Sequence, residues 1–248
     1  MLNSLLHRTI VRTFICLWKL IFYIYLCPEI QIAIMKFGVV IFPGSNCDRD
    51  TVYVLKNILE QEVVELWHKD TDIQNVDVII LPGGFSYGDY LRSGALARFS
   101  PIMKEIIEFA NKGGYVFGIC NGFQILCEAG LLPGALMHNN HRKFSCKNVF
   151  LIPDSKIAPI TNHLPRNRAL KVPIAHGEGK YYADRETIAE MRLNGQILFR
   201  YSDENGNVSE TVNPNGSLEN IAGVCNKTMN VFGMMPHPER ASDIELGN

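Results

Sequence analysis

From Met35 onward, short apolar runs alternate with stretches whose apolar residues recur at helical spacing. Residues 36–42 form a first apolar run, closed by the turn Pro43-Gly44-Ser45-Asn46. Residues 47–61 then place Val52, Leu55, Ile58 and Leu59 on one side of a helix. Two further runs, 63–67 and 76–81, read as strands, and Pro82-Gly83-Gly84 ends the second. A helix is predicted over 101–112, with Pro101 in its first turn. Another strand follows over 115–119, and a helical pattern after Cys120. Strands alternating with helices predict a mainly parallel sheet covered on both faces. Ligands in such sheets lie at the carboxyl ends of the strands. Three of these ends carry Pro-Gly or Gly-rich turns.

After Leu132 the apolar runs shorten, to 148–152, 169–174, 196–201, 221–225 and 231–235. Turn-rich segments such as Asp203-Glu204-Asn205-Gly206-Asn207 and Asn213-Pro214-Asn215-Gly216 separate them. This predicts antiparallel strands added to the same domain.

Composition narrows the class. Of the 248 residues, 47% are hydrophobic and 20% charged, which fits one globular domain with a large core. A formal net charge of −1 argues against a general nucleic-acid binder. The seven cysteines are odd in number and irregularly spaced, with no Cys-x-x-Cys pair. They predict a reduced, cytoplasmic protein without a zinc site.

Residues 1–34 differ from the rest. Arg8, Arg12 and Lys19 face one acid, Glu29, and 10–27 is almost entirely apolar and aromatic. Two bases inside the run disfavour a transmembrane helix, and no small-residue cleavage site follows it. The expectation is an apolar extension outside the fold, with Met35 as the true first residue and the domain spanning 35–248.

The chemistry centres on Gly118-Ile119-Cys120-Asn121-Gly122, where an apolar strand meets a helix. This is the form of a nucleophile elbow with cysteine in the reactive position. A lone cysteine at a strand end is usually a packed thiol. A helix N-terminus, however, stabilises the reactive thiolate form. A base and its orienting group are available in Met235-Pro236-His237-Pro238-Glu239-Arg240. In an extended chain His237 and Glu239 point to the same side, and the two prolines oppose a helical alternative. The amide of Asn121 is the expected first oxyanion donor. The Leu81-Pro82-Gly83-Gly84-Phe85 turn is the candidate for the second.

Five segments in order carry a family resemblance: Phe42-Pro43-Gly44-Ser45-Asn46-Cys47-Asp48, Leu81-Pro82-Gly83-Gly84-Phe85-Ser86-Tyr87-Gly88-Asp89-Tyr90-Leu91-Arg92, Gly118 to Gln124, Ala175-His176-Gly177-Glu178-Gly179, and Met235 to Arg240. From Met35 to Ile244 the chain resembles the class I glutamine amidotransferases, specifically the glutaminase subunits of phosphoribosylformylglycinamidine synthase. The resemblance implies a flavodoxin-like α/β fold. It implies Cys120 as nucleophile, His237 as general acid and base, and Glu239 as its orienter. Gly84, Phe85 and Asn121 would form the oxyanion hole. Gln124, His176, Gly177 and Glu178 would line the glutamine pocket. Glutamine would be split, and ammonia passed to a large PurL-type synthetase subunit assembled with a small PurS-type one. ATP and Mg would bind that partner, since this chain has no Walker-type phosphate loop. The family also continues past Glu239-Arg240 into a final helix, for which this chain, ending at Asn248, leaves little length. Related flavodoxin-like cysteine peptidases share the elbow but carry their histidine soon after the cysteine, where this chain has Asn121. A scaffold that has lost its chemistry is disfavoured because all three triad positions are present.

Overall fold

The computed structural model describes residues 34–243. Strand β1 (Lys36–Ile41) leads to helix α1 (Asp48–Tyr53), which runs on into a π turn (Val54–Ile58). Strands β2 (Glu62–Trp67) and β3 (Val78–Leu81) precede helix α2 (Pro101–Asn111). Strand β4 (Tyr115–Ile119) runs directly into helix α3 (Asn121–Glu128). The second half contributes β5 (Ala135–Met137), β6 (Ser145–Pro153), β7 (Leu170–His176) and β8 (Lys180–Tyr182). Helix α4 (Arg185–Leu193) and strands β9 (Ile197–Ser202), β10 (Ile221–Cys225) and β11 (Val231–Met234) complete it.

Nine strands form one sheet in the order β2-β1-β3-β4-β11-β10-β9-β6-β7, and β5 pairs with β8 apart from it. The five strands from β2 to β11 are parallel, and the remaining pairings are antiparallel. Burial follows this division. Every residue of β3, β4 and β11 is buried, as expected where helices cover both faces. In β7, buried and half-buried positions alternate, the mark of a sheet covered more heavily on one face. Helix α2 turns Ile102, Met103, Ile106 and Ala110 toward the core, one apolar stripe of a helix. The mainly parallel α/β sheet with added antiparallel strands is the predicted fold.

Three local features depart from the pattern. The helix predicted over 47–61 widens at its end, where Leu59 N–H donates to Val54 O at 2.9 Å. That five-residue spacing is a π turn, and it carries the chain into β2. Helix α4 lies outside the predicted elements. Asp184 caps it by accepting from the Thr187 amide at 2.9 Å, and only Ile188 and Met191 are buried. Its short apolar stripe is a weak periodic signal. Lastly, Pro238–Arg240 is a 3-10 turn rather than extended chain. Proline suits a first helical position because its missing N–H would be unpaired there anyway.

Met35 is buried, and its amide donates to Gln61 Oε1 at 2.9 Å, so it is part of the core. The expectations for residues 1–33 and for the end of the chain from 244 fall outside the described residues. Among the described residues, no helix is long and apolar enough to cross a membrane.

Candidate active site

The elbow is strained at the cysteine itself. Cys120 has φ 49° and ψ −104°, while Gly118 and Gly122 on either side keep negative or extended φ. A non-glycine residue there costs on the order of 1–3 kcal/mol, held by the surrounding structure. The flanking glycines therefore serve close approach rather than a left-handed turn. A Cβ on Gly122 would sit 1.9 Å from Leu81 O, so no side chain fits between α3 and the end of β3. Cys120 becomes the N-cap of a helix whose first six residues are all buried.

Sheet pairing brings the candidate base to this thiol. Strand β11 lies parallel beside β4, with Val231 opposite Val116 and Met234 opposite Ile119. The two strands therefore end together, and Cys120 N–H donates to Met234 O at 2.8 Å. Three residues later, His237 is buried, fixed by its own amide donating to Pro173 O of β7 at 2.9 Å. Its Nδ1 meets Glu239 Oε1 at 2.6 Å, with both side chains almost wholly buried. Nε2 is buried without a hydrogen-bond partner among the described residues. Burial opposes charge on this ring. The Glu239 carboxylate and the nearby thiols of Cys120 and Cys47 outweigh it and hold His237 well above the ordinary imidazole range.

The predicted oxyanion donors divide. Asn121 is the first residue of α3, where an amide has no intrahelical acceptor. Gly84 has φ 144°, and a Cβ on it would lie 2.7 Å from Asn46 N, so only glycine fits. Phe85 departs from expectation: its N–H donates to Gly44 O at 2.9 Å and is not offered to the thiol. The Ser45–Gly84 bridge that aligns the two turns uses this amide, which leaves the Asn121 and Gly84 amides as the candidates. Beyond the turn, Tyr87, Asp89 and Leu91 all have positive φ. The Asn121 side chain ties this loop to the elbow, accepting from Ser86 N at 3.0 Å and facing Asp89 Oδ1 at 3.4 Å.

The predicted pocket residues form a connected group beside Cys120, whose Sγ lies 3.8 Å from Ala175 O. Gln124 is committed at both ends of its amide. Oε1 accepts from Asn121 Nδ2 at 2.9 Å, and Nε2 donates to Glu178 O at 2.7 Å. It thus fixes the 176–179 turn against α3. Gly177 O accepts from Asn139 N at 2.9 Å. Glu178 Oε2 accepts from Ser93 N at 3.3 Å, and Oε1 faces His138 at 3.4 Å. Asp89 escaped the sequence reading. Burial and the neighbouring Glu178 raise its carboxyl above the usual range. His176 is buried, with Nδ1 3.2 Å from Asn139 Oδ1. Burial first, then the charge of His237, push its pKa down to about 4, so it is neutral at physiological pH.

Cys47 is a second thiol at the site. Its Sγ lies within 4.8 Å of a ring nitrogen of His237 and a carboxylate oxygen of Glu239. Thiol, imidazole and carboxylate are the ligand types of a borderline ion such as zinc. Here the imidazole and carboxylate already bind each other, and Arg240 Nη2 donates to Cys47 Sγ at 3.2 Å. A guanidinium on the thiol opposes a second cation, so the cluster reads as a hydrogen-bonded group. Cys47 stands in one of the segments that carry the resemblance, but the sequence reading gave it no role, because its neighbours His237 and Arg240 lie far along the chain.

Comparison with known proteins agrees with this geometry. Residues 35–246 match the CobB/CobQ-like glutamine amidotransferase domain. The phosphoribosylformylglycinamidine synthase subunit PurQ of Moorella thermoacetica is 56% identical over 213 residues, covering 86% of this chain and 90% of that protein. PurQ of Trichormus variabilis is 57% identical, with 86% and 92% covered. Among solved structures, a chain of PurLQS from Thermotoga maritima superposes with a TM-score of 0.74 at 43% identity, covering 86% of this chain and 92% of that one. A second glutamine amidotransferase from Thermotoga maritima, at 15% identity and TM-score 0.52, shares the fold. With an elbow cysteine beside a buried histidine–glutamate pair, and these relatives along nearly the whole fold, the chain belongs to the PurQ family of glutamine amidotransferases.

Proposed function

We propose that the chain hydrolyses glutamine through Cys120 and delivers the ammonia to a synthetase subunit, as the glutaminase component of phosphoribosylformylglycinamidine synthase in purine biosynthesis. The observation that carries this reading is the common end of β4 and β11. It sets the thiol beside an imidazole whose far nitrogen is bonded to Glu239 and whose near nitrogen is open.

Cys120 Sγ attacks the side-chain amide carbon of glutamine, and the carbonyl oxygen becomes an oxyanion facing the Asn121 and Gly84 amides. His237 gives a proton to the departing nitrogen, so ammonia leaves and a glutamyl thioester remains. The now neutral imidazole takes a proton from water, which attacks the thioester. Collapse of the second oxyanion releases glutamate, expels Cys120 as the thiolate and leaves His237 protonated, as at the start. Glu239 keeps the Nδ1 proton in place through both halves, as the third member of a triad does. Gln124, His176, Gly177 and Glu178 shape the pocket wall. None of these steps draws on a cofactor in this chain. The synthetase partner, of PurL type with a PurS-type subunit, supplies the ATP- and Mg-dependent chemistry in the cytoplasm.

The test is a glutaminase assay on the full chain, alone and with the synthetase subunits. The expected result is slow hydrolysis alone and stimulation in the complex. Cys120→Ser should lower kcat by roughly a thousandfold or more, and a glutamyl adduct should be found on the Cys120 peptide of the unaltered protein. Full activity in Cys120→Ser would sink the assignment.

A further inference from the structure

Cys47 sits in the loop between β1 and α1, and nothing in the proposed chemistry uses it. Three observations define its setting. First, its thiol is held from two sides: Arg240 Nη2 donates to Sγ at 3.2 Å, and Sγ donates to Asn46 Oδ1 at 3.1 Å. Second, Arg240 is itself anchored to α1, its Nε donating to Asp50 Oδ2 at 3.1 Å. Third, the thiol and the imidazole share one slot against the β3 turn. A Cβ on Gly83 would lie 2.7 Å from His237 Cε1, 3.0 Å from Cys47 Sγ and 3.3 Å from His237 Nδ1.

The ring edge carrying Cε1 and Nδ1 is therefore enclosed by the Gly83 backbone and the Cys47 thiol. We propose that Cys47 is a positioning residue for His237: its thiol, clamped by Arg240 and Asn46, closes the slot that holds the imidazole with Nδ1 on Glu239 and Nε2 open toward Cys120. The proposal rests on the assignment of His237 as the base. It adds a chain of contacts from α1 through Asp50, Arg240 and Cys47 to the catalytic ring. Burial raises the Cys47 thiol above its ordinary value, in keeping with a neutral group that packs and hydrogen-bonds. A thiolate here would compete with Glu239 for the imidazole. The ionisable groups around His237 come from four elements: Glu239 and Arg240 on its own turn, Cys120 at the elbow, Cys47 before α1, and His176 at the end of β7.

The experiment compares Cys47→Ala and Cys47→Ser in the full chain assembled with the synthetase subunits. Cys47→Ala should lower kcat about tenfold, a modest misplacement of a catalytic group. KM should stay within about twofold. The alkaline limb of the kcat/KM profile, set by the imidazolium, should move to lower pH. Cys47→Ser, which keeps a donor and acceptor in the slot, should restore most of the rate. A second reading needs no glutamine turnover: the rate at which iodoacetamide alkylates Cys120 at pH 7, followed on its peptide by mass. Cys47→Ala should slow it severalfold when His237 is present and leave it unchanged in a His237→Ala background. A wild-type rate and pH profile in Cys47→Ala would overturn the proposal. So would an equal loss of alkylation with and without His237, which would make the thiol a packing group only. If the unaltered protein does not hydrolyse glutamine, the proposed function fails, while the alkylation comparison still decides the role of Cys47.

Discussion

His176 and His237 are both buried near the same thiol, yet one is held neutral and the other charged. The difference is the carboxylate. Glu239 meets His237 at 2.6 Å, whereas His176 Nδ1 meets the neutral side-chain amide of Asn139 at 3.2 Å. The two rings therefore make stability depend on pH in opposite directions. His176, depressed to about 4, stays neutral in the fold while the unfolded chain takes up a proton below 6.5. Its contribution is complete above pH 6.5 and is lost as pH falls toward 4, by about 3 kcal/mol at most. His237, raised well above 6.5, contributes fully below that value and loses the contribution as pH rises through its folded pKa. Replacing His176 with Asn should flatten the fall in urea-unfolding free energy between pH 6.5 and 4, whatever its effect at neutral pH. An unchanged acid slope would show that this imidazole is not the group responsible. At this scale the sequence was readable where the chemistry is local. Gly-x-Cys-x-Gly marks the elbow at Cys120 because it is built from five consecutive residues, and His-x-Glu sets the bonded pair His237 and Glu239 two apart. Cys47 and Asp89 were not readable, since their roles depend on which strands lie side by side.

At the level of elements, the site depends on the register of β4 against β11, and the segment before β11 sets it. Asn230 is buried there, and its Nδ2 donates to Ala110 O of α2 and to Gly114 O just before β4, each at 2.8 Å. One side chain thus ties the end of α2 to the start of β4 through two backbone carbonyls. Asn230→Ala removes both of these hydrogen bonds, while Ala110 O keeps the Gly113 amide at 3.0 Å, and should cost about 1–2 kcal/mol. In urea this reads as a lower midpoint with an unchanged slope. A loss under 0.5 kcal/mol would mean that water replaces the amide at no cost. The apolar runs made these strands legible, because β3, β4 and β11 are buried throughout. Their neighbours were not legible. Strand β11 is the last among the described residues and lies in the middle of the sheet, a pairing that periodicity does not encode. Helix α4 was missed for a related reason. It buries only Ile188 and Met191, so its stripe is too thin to stand out from its polar face.

For the whole molecule, the common end of β4 and β11 limits how a partner can control the enzyme. Cys120 and His237, the proposed nucleophile and base, follow adjacent strands of one sheet that end together, about 4.8 Å apart. Pulling them apart would mean breaking backbone pairing in the most buried part of the core. The remaining parts of the site hang on loops: the 84–92 turn, strained at Tyr87, Asp89 and Leu91, and the 176–179 turn. Exposed rings of Phe85 and Phe144 stack at 6.4 Å, the second lying against Gly177. Hydrogen exchange should show amides 116–120 and 231–234 equally protected in the free chain and in the synthetase complex. Those of 85–92 and 176–179 should change. Altered protection in β4 or β11 would count against this division. On the proposed chemistry the core is a fixed anvil for the thiol and imidazole, and a partner would have purchase on the walls proposed to admit glutamine and cradle its oxyanion.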